Sequence, residues 1–258
     1  MSNSTLQFKK VSFRYESKNN DINPSIIESL SFTIHSSEFV SILGPSGSGK
    51  TTLFKLITGL EQPSSGDILL NGKYMKNRLG CVGYMPQKDL LLPWRTILQN
   101  ASLPLELRGV KKKVAYQQVI ELLEEFGLKG LEDELPSVLS GGMKQRVSFL
   151  RSILSGANLL LLDEPFSSLD AITRLSMQEW LLNLWEKRKT TVLFITHDVD
   201  EALFLSDRIF VLSETPVRHL KEVPIPLRRP RGINDLHLPE IIKLKEDLLN
   251  QLRQKVRL

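Results

Sequence analysis

The chain has 258 residues, enough for one large α/β domain or a core with an inserted subdomain, and its composition, 41% hydrophobic and 24% charged, is that of an ordinary globular protein. Its one cysteine, Cys81, excludes a disulfide framework and a cysteine-based zinc site and suits a reducing compartment. The net charge of +5 lies entirely in 215–258, where ten basic side chains stand against five acidic ones; the rest is neutral, without the basic stripe of a nucleic-acid-binding core.

The first residues, 1–5, begin no signal peptide. Leu6, Phe8, Val11, Phe13 and Tyr15 keep mostly a two-residue spacing, broken once at Lys9-Lys10, and Leu30, Phe32 and Ile34 alternate. Both stretches read as half-buried strands, joined by the polar, turn-rich 18–24 into an antiparallel meander. Tyr15 is either an ordinary strand aromatic or a ring on which an adenine stacks.

Next, 39–43 reads as a short buried strand, and 52–57 as the first turns of a helix. Between them Gly44-Pro45-Ser46-Gly47-Ser48-Gly49-Lys50-Thr51 fits G-x-x-x-x-G-K-[ST], the phosphate-binding loop. Glycines let the backbone wrap a phosphate chain with its N–H groups pointing inward, and the helix N-terminus adds partial positive charge. Lys50 can reach the β- and γ-phosphates, and the Thr51 hydroxyl can ligate Mg²⁺.

Further on, 67–72 is a strand ending in a turn, and 81–85 a strand closed by Pro86 and followed by Gln87. The character then changes. Stretches 94–107 and 113–126 look helical, and a third helix starts near Gly142 and runs to about Leu154, so 88–156 reads as a helical insertion. The α/β core is then 1–87 with 157–258. Four leucines, 159–162, form a buried strand ending in Asp163-Glu164. They are the longest strongly apolar run, far too short to cross a bilayer, so any crossing must come from a partner. A helix over 172–187, a strand over 191–195 ending at Thr196-His197, and a strand over 208–212 complete a mostly parallel sheet. Gly44, Gln87, Asp163 and His197 each follow a strand, where such sheets bind ligands.

An acid at the end of a buried strand, in a phosphate-loop chain, is the expected Mg²⁺ holder, and that is Asp163. Glu164 beside it can deprotonate the attacking water. Gln87 can hydrogen-bond a metal-bound or attacking water, and His197 can donate to the γ-phosphate. In Leu139-Ser140-Gly141-Gly142-Met143-Lys144-Gln145-Arg146, Ser140 can cap the next helix. Gly141 and Gly142 bare its first-turn N–H groups and make a second anion site.

Together these motifs resemble the ATP-binding subunit of ABC transporters, over nearly the whole chain and in that family's order. Gly44 to Thr51 is similar to the Walker A motif, with Thr51-Thr52 in place of the frequent Ser-Thr. Gln87 resembles the Q-loop, 139–146 the signature motif, and 159–163 Walker B with Glu164 as the catalytic glutamate. Ser168-Leu169-Asp170 resembles the D-loop, His197 the switch histidine, and Tyr15 the adenine-stacking aromatic. The resemblance implies a P-loop NTPase core with an antiparallel β subdomain and an inserted helical subdomain. It implies ATP and Mg²⁺ as cofactors, with ATP held by Tyr15, the loop from Gly44 to Thr52, and Ser140, Gly141 and Gly142. It also implies a head-to-tail dimer of two copies and a multi-spanning permease touching the stretch from Gln87 to Trp94. An extracytoplasmic solute-binding protein would act indirectly; this chain itself would sit peripherally at the cytoplasmic face of the cell membrane, with no nucleic acid as partner. Leu91-Leu92-Pro93-Trp94, Met143 and the Pro/Arg-rich 226–231 resemble importers for nitrate, sulfonates and taurine, a branch with relatives that carry pyrimidine precursors of thiamine. A soluble ABC mechanoenzyme acting on nucleic acid or ribosomes is the alternative. The amphipathic 239–257 reads as a helix packed on its own core, with docking to a partner as its rival.

Overall fold

Apolar runs broken by glycine and proline turns dictate short strands, and the computed structural model shows them over the residues it describes, 4–15, 24–212 and 214–256. The expected polar connection over 18–24 lies, except for Pro24, outside the described residues. In chain order come β1 (Ser4–Phe13), β2 (Ile27–His35), β3 (Phe39–Leu43), α1 (Lys50–Thr58), β4 (Ser65–Leu70), β5 (Lys73–Tyr74) and β6 (Gly83–Met85). The helices α2 (Ile97–Leu107), α3 (Lys112–Leu123) and α4 (Gly141–Leu154) follow, then β7 (Leu159–Asp163) and α5 (Ala171–Arg188). Last come β8 (Thr191–Thr196), α6 (Val199–Leu205), β9 (Arg208–Val211), β10 (Lys221–Pro224) and α7 (Pro239–Val256). Contacts divide the chain into two units, Met1–Leu79 with Leu182–Leu258, and Gly80–Leu181.

In the first unit β3 lies between two parallel partners, β8 and β9. All residues of β3 and β8 are buried. Parallel strands covered on both faces need this continuous rather than alternating apolarity. An antiparallel sheet in the order β2-β1-β4-β5 accompanies them. The meander expected ahead of the phosphate loop is therefore completed from beyond it, because β4 returns to pair with β1. The break at Lys9-Lys10 is a bulge: the β1 register shifts there against both neighbours, and Lys10 takes a φ of 51°. Gly66 on β4 lies against this bulge, and a Cβ there would stand 2.2 Å from the Lys10 carbonyl oxygen.

The C-terminal segment fastens α6. Arg231, buried, donates to the carbonyls of Leu203, Phe204, Ser206 and Leu227, and Arg229 donates to the carbonyl of Leu205 and to Asp207. Two guanidinium groups thus satisfy the orphan carbonyls at one helix end. Burial first, then neighbouring Arg229, pushes the Arg231 guanidinium down to about 10. At the other end Asp198 caps α6, accepting from the N–H groups of Asp200 and Glu201, and Lys245 of α7 pairs with Asp200 at 2.7 Å. Ile241 and Leu248 of α7 are fully buried among Leu43, Ala202, Leu203, Ile209 and Val211. The apolar face of the last helix is used on its own core.

In the second unit β6 and β7 run parallel, with Met85 opposite Leu162. α2 begins at Ile97 rather than 94 because Thr96 and Gln99 form a reciprocal capping box. α3 stops at Leu123 rather than 126. Phe126, Phe149 and Trp180 form a cluster of rings at 5.3–6.2 Å, with the Arg146 guanidinium 5.2 Å over Trp180. Buried Asn100 accepts from the Leu92 N–H and donates to the Leu92 and Arg95 carbonyls. Arg151 donates to the carbonyls of Asp89 and Leu90. The loop between β6 and α2 is thereby pinned from two helices. Trp94 on it remains 73% exposed.

Candidate functional site

In the first unit Gly44 leaves the end of β3 and α1 opens at Lys50. Gly47 and Gly49 hold φ of 80° and 94°, which a side chain would strain. Lys50 is buried, and its ammonium donates to the carbonyls of Gly44 and Pro45, both at 2.8 Å. The Ser48 hydroxyl is buried without a partner among the described residues. A buried polar atom in a glycine loop at a helix N-terminus fits an incoming phosphate oxygen. No acidic residue occupies the first turn of α1, which keeps that end favourable to anions. Thr51 is exposed and Thr52 buried.

Tyr15 stands beside α1. Its hydroxyl lies 3.3 Å from the Thr52 hydroxyl and receives a hydrogen bond from the Lys55 ammonium at 3.4 Å. Phe13 packs edge-on against its ring at 4.8 Å. His197 follows β8 and is exposed. Because Leu43 pairs with Thr196, Gly44 and His197 leave adjacent strands at one carboxyl edge. The N–H of Asp198 donates to the Thr196 hydroxyl, fixing the turn just after His197.

The second unit gathers Gln87, Asp163 and Glu164. The Met85–Leu162 register carries Gln87 and Glu164 to the same level, two residues beyond. Gln87 Nε2 lies 3.3 Å from the Glu164 carboxylate and 3.3 Å from the Ser167 hydroxyl, which donates to the Glu164 carbonyl. Glu164 takes a φ of 44°, an uncommon conformation for a side-chain-bearing residue. Asp163 is buried and accepts from the Tyr84 hydroxyl at 3.4 Å. Burial, and then the negative Asp163, push the Tyr84 phenol up to about 12. Sequence reasoning passed over Tyr84, Ser167 and Lys55. Only the strand register exposes Tyr84, whereas Ser167 and Lys55 stand three residues beyond Glu164 and Thr52.

Ser140 caps α4 by accepting from the Met143 N–H at 3.3 Å. A Cβ on Gly141 would lie 3.2 Å from Leu169, and one on Gly142 3.1 Å from Thr173. The glycine pair therefore allows 169–173 to approach the first turn of α4. Asp170 accepts from the Thr173 N–H at 3.0 Å, which holds its carboxyl below the usual range.

Among the described residues no group of three or more His, Cys, Asp or Glu is placed to hold a metal ion.

The family model described as ABC transporter matches residues 27–167. The chain is 48% identical to the formylaminopyrimidine import ATP-binding protein ThiZ of Halalkalibacterium halodurans, over 94% of this chain and 94% of that protein. It is 40% identical to the aliphatic sulfonates import ATP-binding protein SsuB of Bacillus subtilis, over 88% and 87%. Among solved structures, a dimeric post-hydrolysis state of the ATP-binding cassette MJ0796 bound to ADP and Pi matches with a TM-score of 0.72. That match has 27% identity and covers 88% of this chain and 99% of that one.

Proposed function

The chain belongs to the ABC transporter family as the ATP-binding, ATP-hydrolysing subunit of an importer, and from that premise we propose that it energises uptake of a formylaminopyrimidine. The 48% identity to ThiZ over 94% of both chains carries this reading. Aliphatic sulfonates, the cargo in the name of the 40% identical relative, are the second reading. A nucleic-acid or ribosome mechanoenzyme is not favoured by relatives named as import proteins.

The roles proposed are those the family resemblance implies, and the contacts of Lys50, Ser48, Gln87 and Glu164 support them. Lys50, Ser48 and the backbone of Gly44 to Thr52 bind the phosphates, and Tyr15 stacks on the adenine. Glu164 takes the proton from the attacking water, held in orientation by Gln87; His197 donates to the γ-phosphate. Thr51 and Asp163 are the residues assigned to Mg²⁺, with Gln87 serving it through water; when bound, the ion neutralises charge developing on the phosphates. Ser140, Gly141 and Gly142 of one copy close over the ATP held by a second copy, head to tail. Residues 88–156 act as an inserted helical part of the α/β core.

No helix among the described residues is long and apolar enough to cross a membrane; the relatives' names as import ATP-binding proteins support a separate permease and a place at the cytoplasmic face. The pinned loop from Gln87 to exposed Trp94 is the contact assigned to that permease. In the same unit, a cleft of about 330 Å³ lined by Arg95, Glu106, Lys112 and Tyr116 adds to it. A solute-binding protein acts on the permease, not on this chain.

The test is ATPase activity of the chain reconstituted with its permease and solute-binding protein. Stimulation by a formylaminopyrimidine, and not by taurine or an alkyl sulfonate, is expected; the reverse preference would replace the first reading by the second.

A further inference from the structure

Tyr15 is held by α1, and the contact from Lys55 is specific in its geometry. The ammonium is 3.4 Å from the hydroxyl oxygen and 5.4 Å from the ring centroid. It therefore sits toward the hydroxyl end of the ring, off the centre on which a base would stack. Thr52 and Lys55 are three residues apart, so they project from one face of α1. Thr52 meets the same hydroxyl, and Phe13 fixes the ring edge-on at 83°. A tyrosine just beyond the end of a strand is thus tied to the helix that opens on the phosphate loop.

We infer that Lys55 is a positioning residue for base recognition: it locks Tyr15 in register with the phosphate loop, so that a purine nucleoside triphosphate is measured at base and phosphates together. This rests on the reading of Tyr15 as the base platform. Lys55 has no part in holding the phosphates, and its effect passes through the Tyr15 hydroxyl.

Binding of Mg²⁺-ATP, Mg²⁺-GTP and Mg²⁺-tripolyphosphate to the full chain separates the possibilities. In Lys55→Met, a residue equally suited to a helix, ATP affinity is expected to fall about threefold to tenfold, as for a loosened stacking platform. Tripolyphosphate affinity should stay within about twofold, and GTP affinity should fall together with ATP affinity, because stacking accepts either purine. Tyr15→Phe, which keeps the ring, should lose a similar factor, and the double variant should lose no more than either alone. Lys55→Arg should restore binding. Equal weakening toward ATP and tripolyphosphate, or unaltered ATP binding in Lys55→Met, would overturn the inference. Tyr15→Ala tests the platform itself. If it too spares ATP binding, the stacking reading fails; if it alone loses ATP selectively, only the role of Lys55 fails.

Discussion

The side-chain amide of Gln87 meets the Glu164 carboxylate at 3.3 Å across 77 residues of sequence. The contact ties the residue that follows β6 to the one that follows β7, and Ser167 closes the third side. It also restrains a carboxylate whose backbone sits at positive φ. Glu164→Gln keeps this packing but removes the base. Turnover is expected to fall by about 10²-fold or more, with ATP binding retained and ATP-trapped dimers visible by size-exclusion chromatography. Hydrolysis near the parent rate would remove Glu164 from the mechanism.

Trp94 offers a test of the permease contact. At 73% exposure it contributes little to its own fold, so Trp94→Ala should leave the melting temperature within a degree or two. Exposed aromatic anchors dominate interfaces, so co-purification with the permease should weaken by about tenfold or more. Retained affinity would move the contact elsewhere.

Much of this was legible in the sequence because the phosphate loop and the signature are continuous. The phosphate loop follows the apolar run 39–43, and the signature is marked by its contiguous Ser-Gly-Gly. Less was legible where partners are distant. The Tyr84–Asp163 contact depends on the β6–β7 register, which nothing in either strand specifies. α6 was missed because it spans only seven residues and begins in the polar Asp198-Val199-Asp200-Glu201. β10 was missed because its sequence, Lys-Glu-Val-Pro, buries one side chain. The Arg229 and Arg231 pair reads as surface charge until α6 is in place to receive it.

Gly66 and Gly72 make a matched pair. Both take positive φ, 80° and 73°, but only at Gly66 would a Cβ meet backbone, 2.2 Å from the Lys10 oxygen. Gly72→Ala should cost about 1 kcal/mol, from backbone strain alone. Gly66→Ala should cost about 2–4 kcal/mol more, since neither the bulge nor β4 can yield cheaply. Urea unfolding midpoints measure the difference, and equal midpoints would show that the bulge relaxes.

Arg231→Met should leave the carbonyls of Leu203, Phe204 and Ser206 without their donor in a buried site. A loss of about 2–4 kcal/mol is expected, read as a melting temperature lower by about 5–15 °C. Arg231→Lys should recover only part of it, because one ammonium cannot fork across the same acceptors. An unshifted melting curve would mean that water replaces the guanidinium without penalty.

The phosphate-loop strand, Phe39–Leu43, finds both of its parallel neighbours within residues 191–211. During synthesis it must therefore wait for roughly 150 further residues, about 7–30 s at about 5–20 residues per second. Gly80–Leu181 is contiguous and emerges whole in that interval. The unit that carries the phosphate-loop strand is thus the last to close on the ribosome, with an apolar strand left uncovered in the meantime. A nascent chain stalled near residue 180 should be cleaved by protease within 39–43 while 80–180 resists.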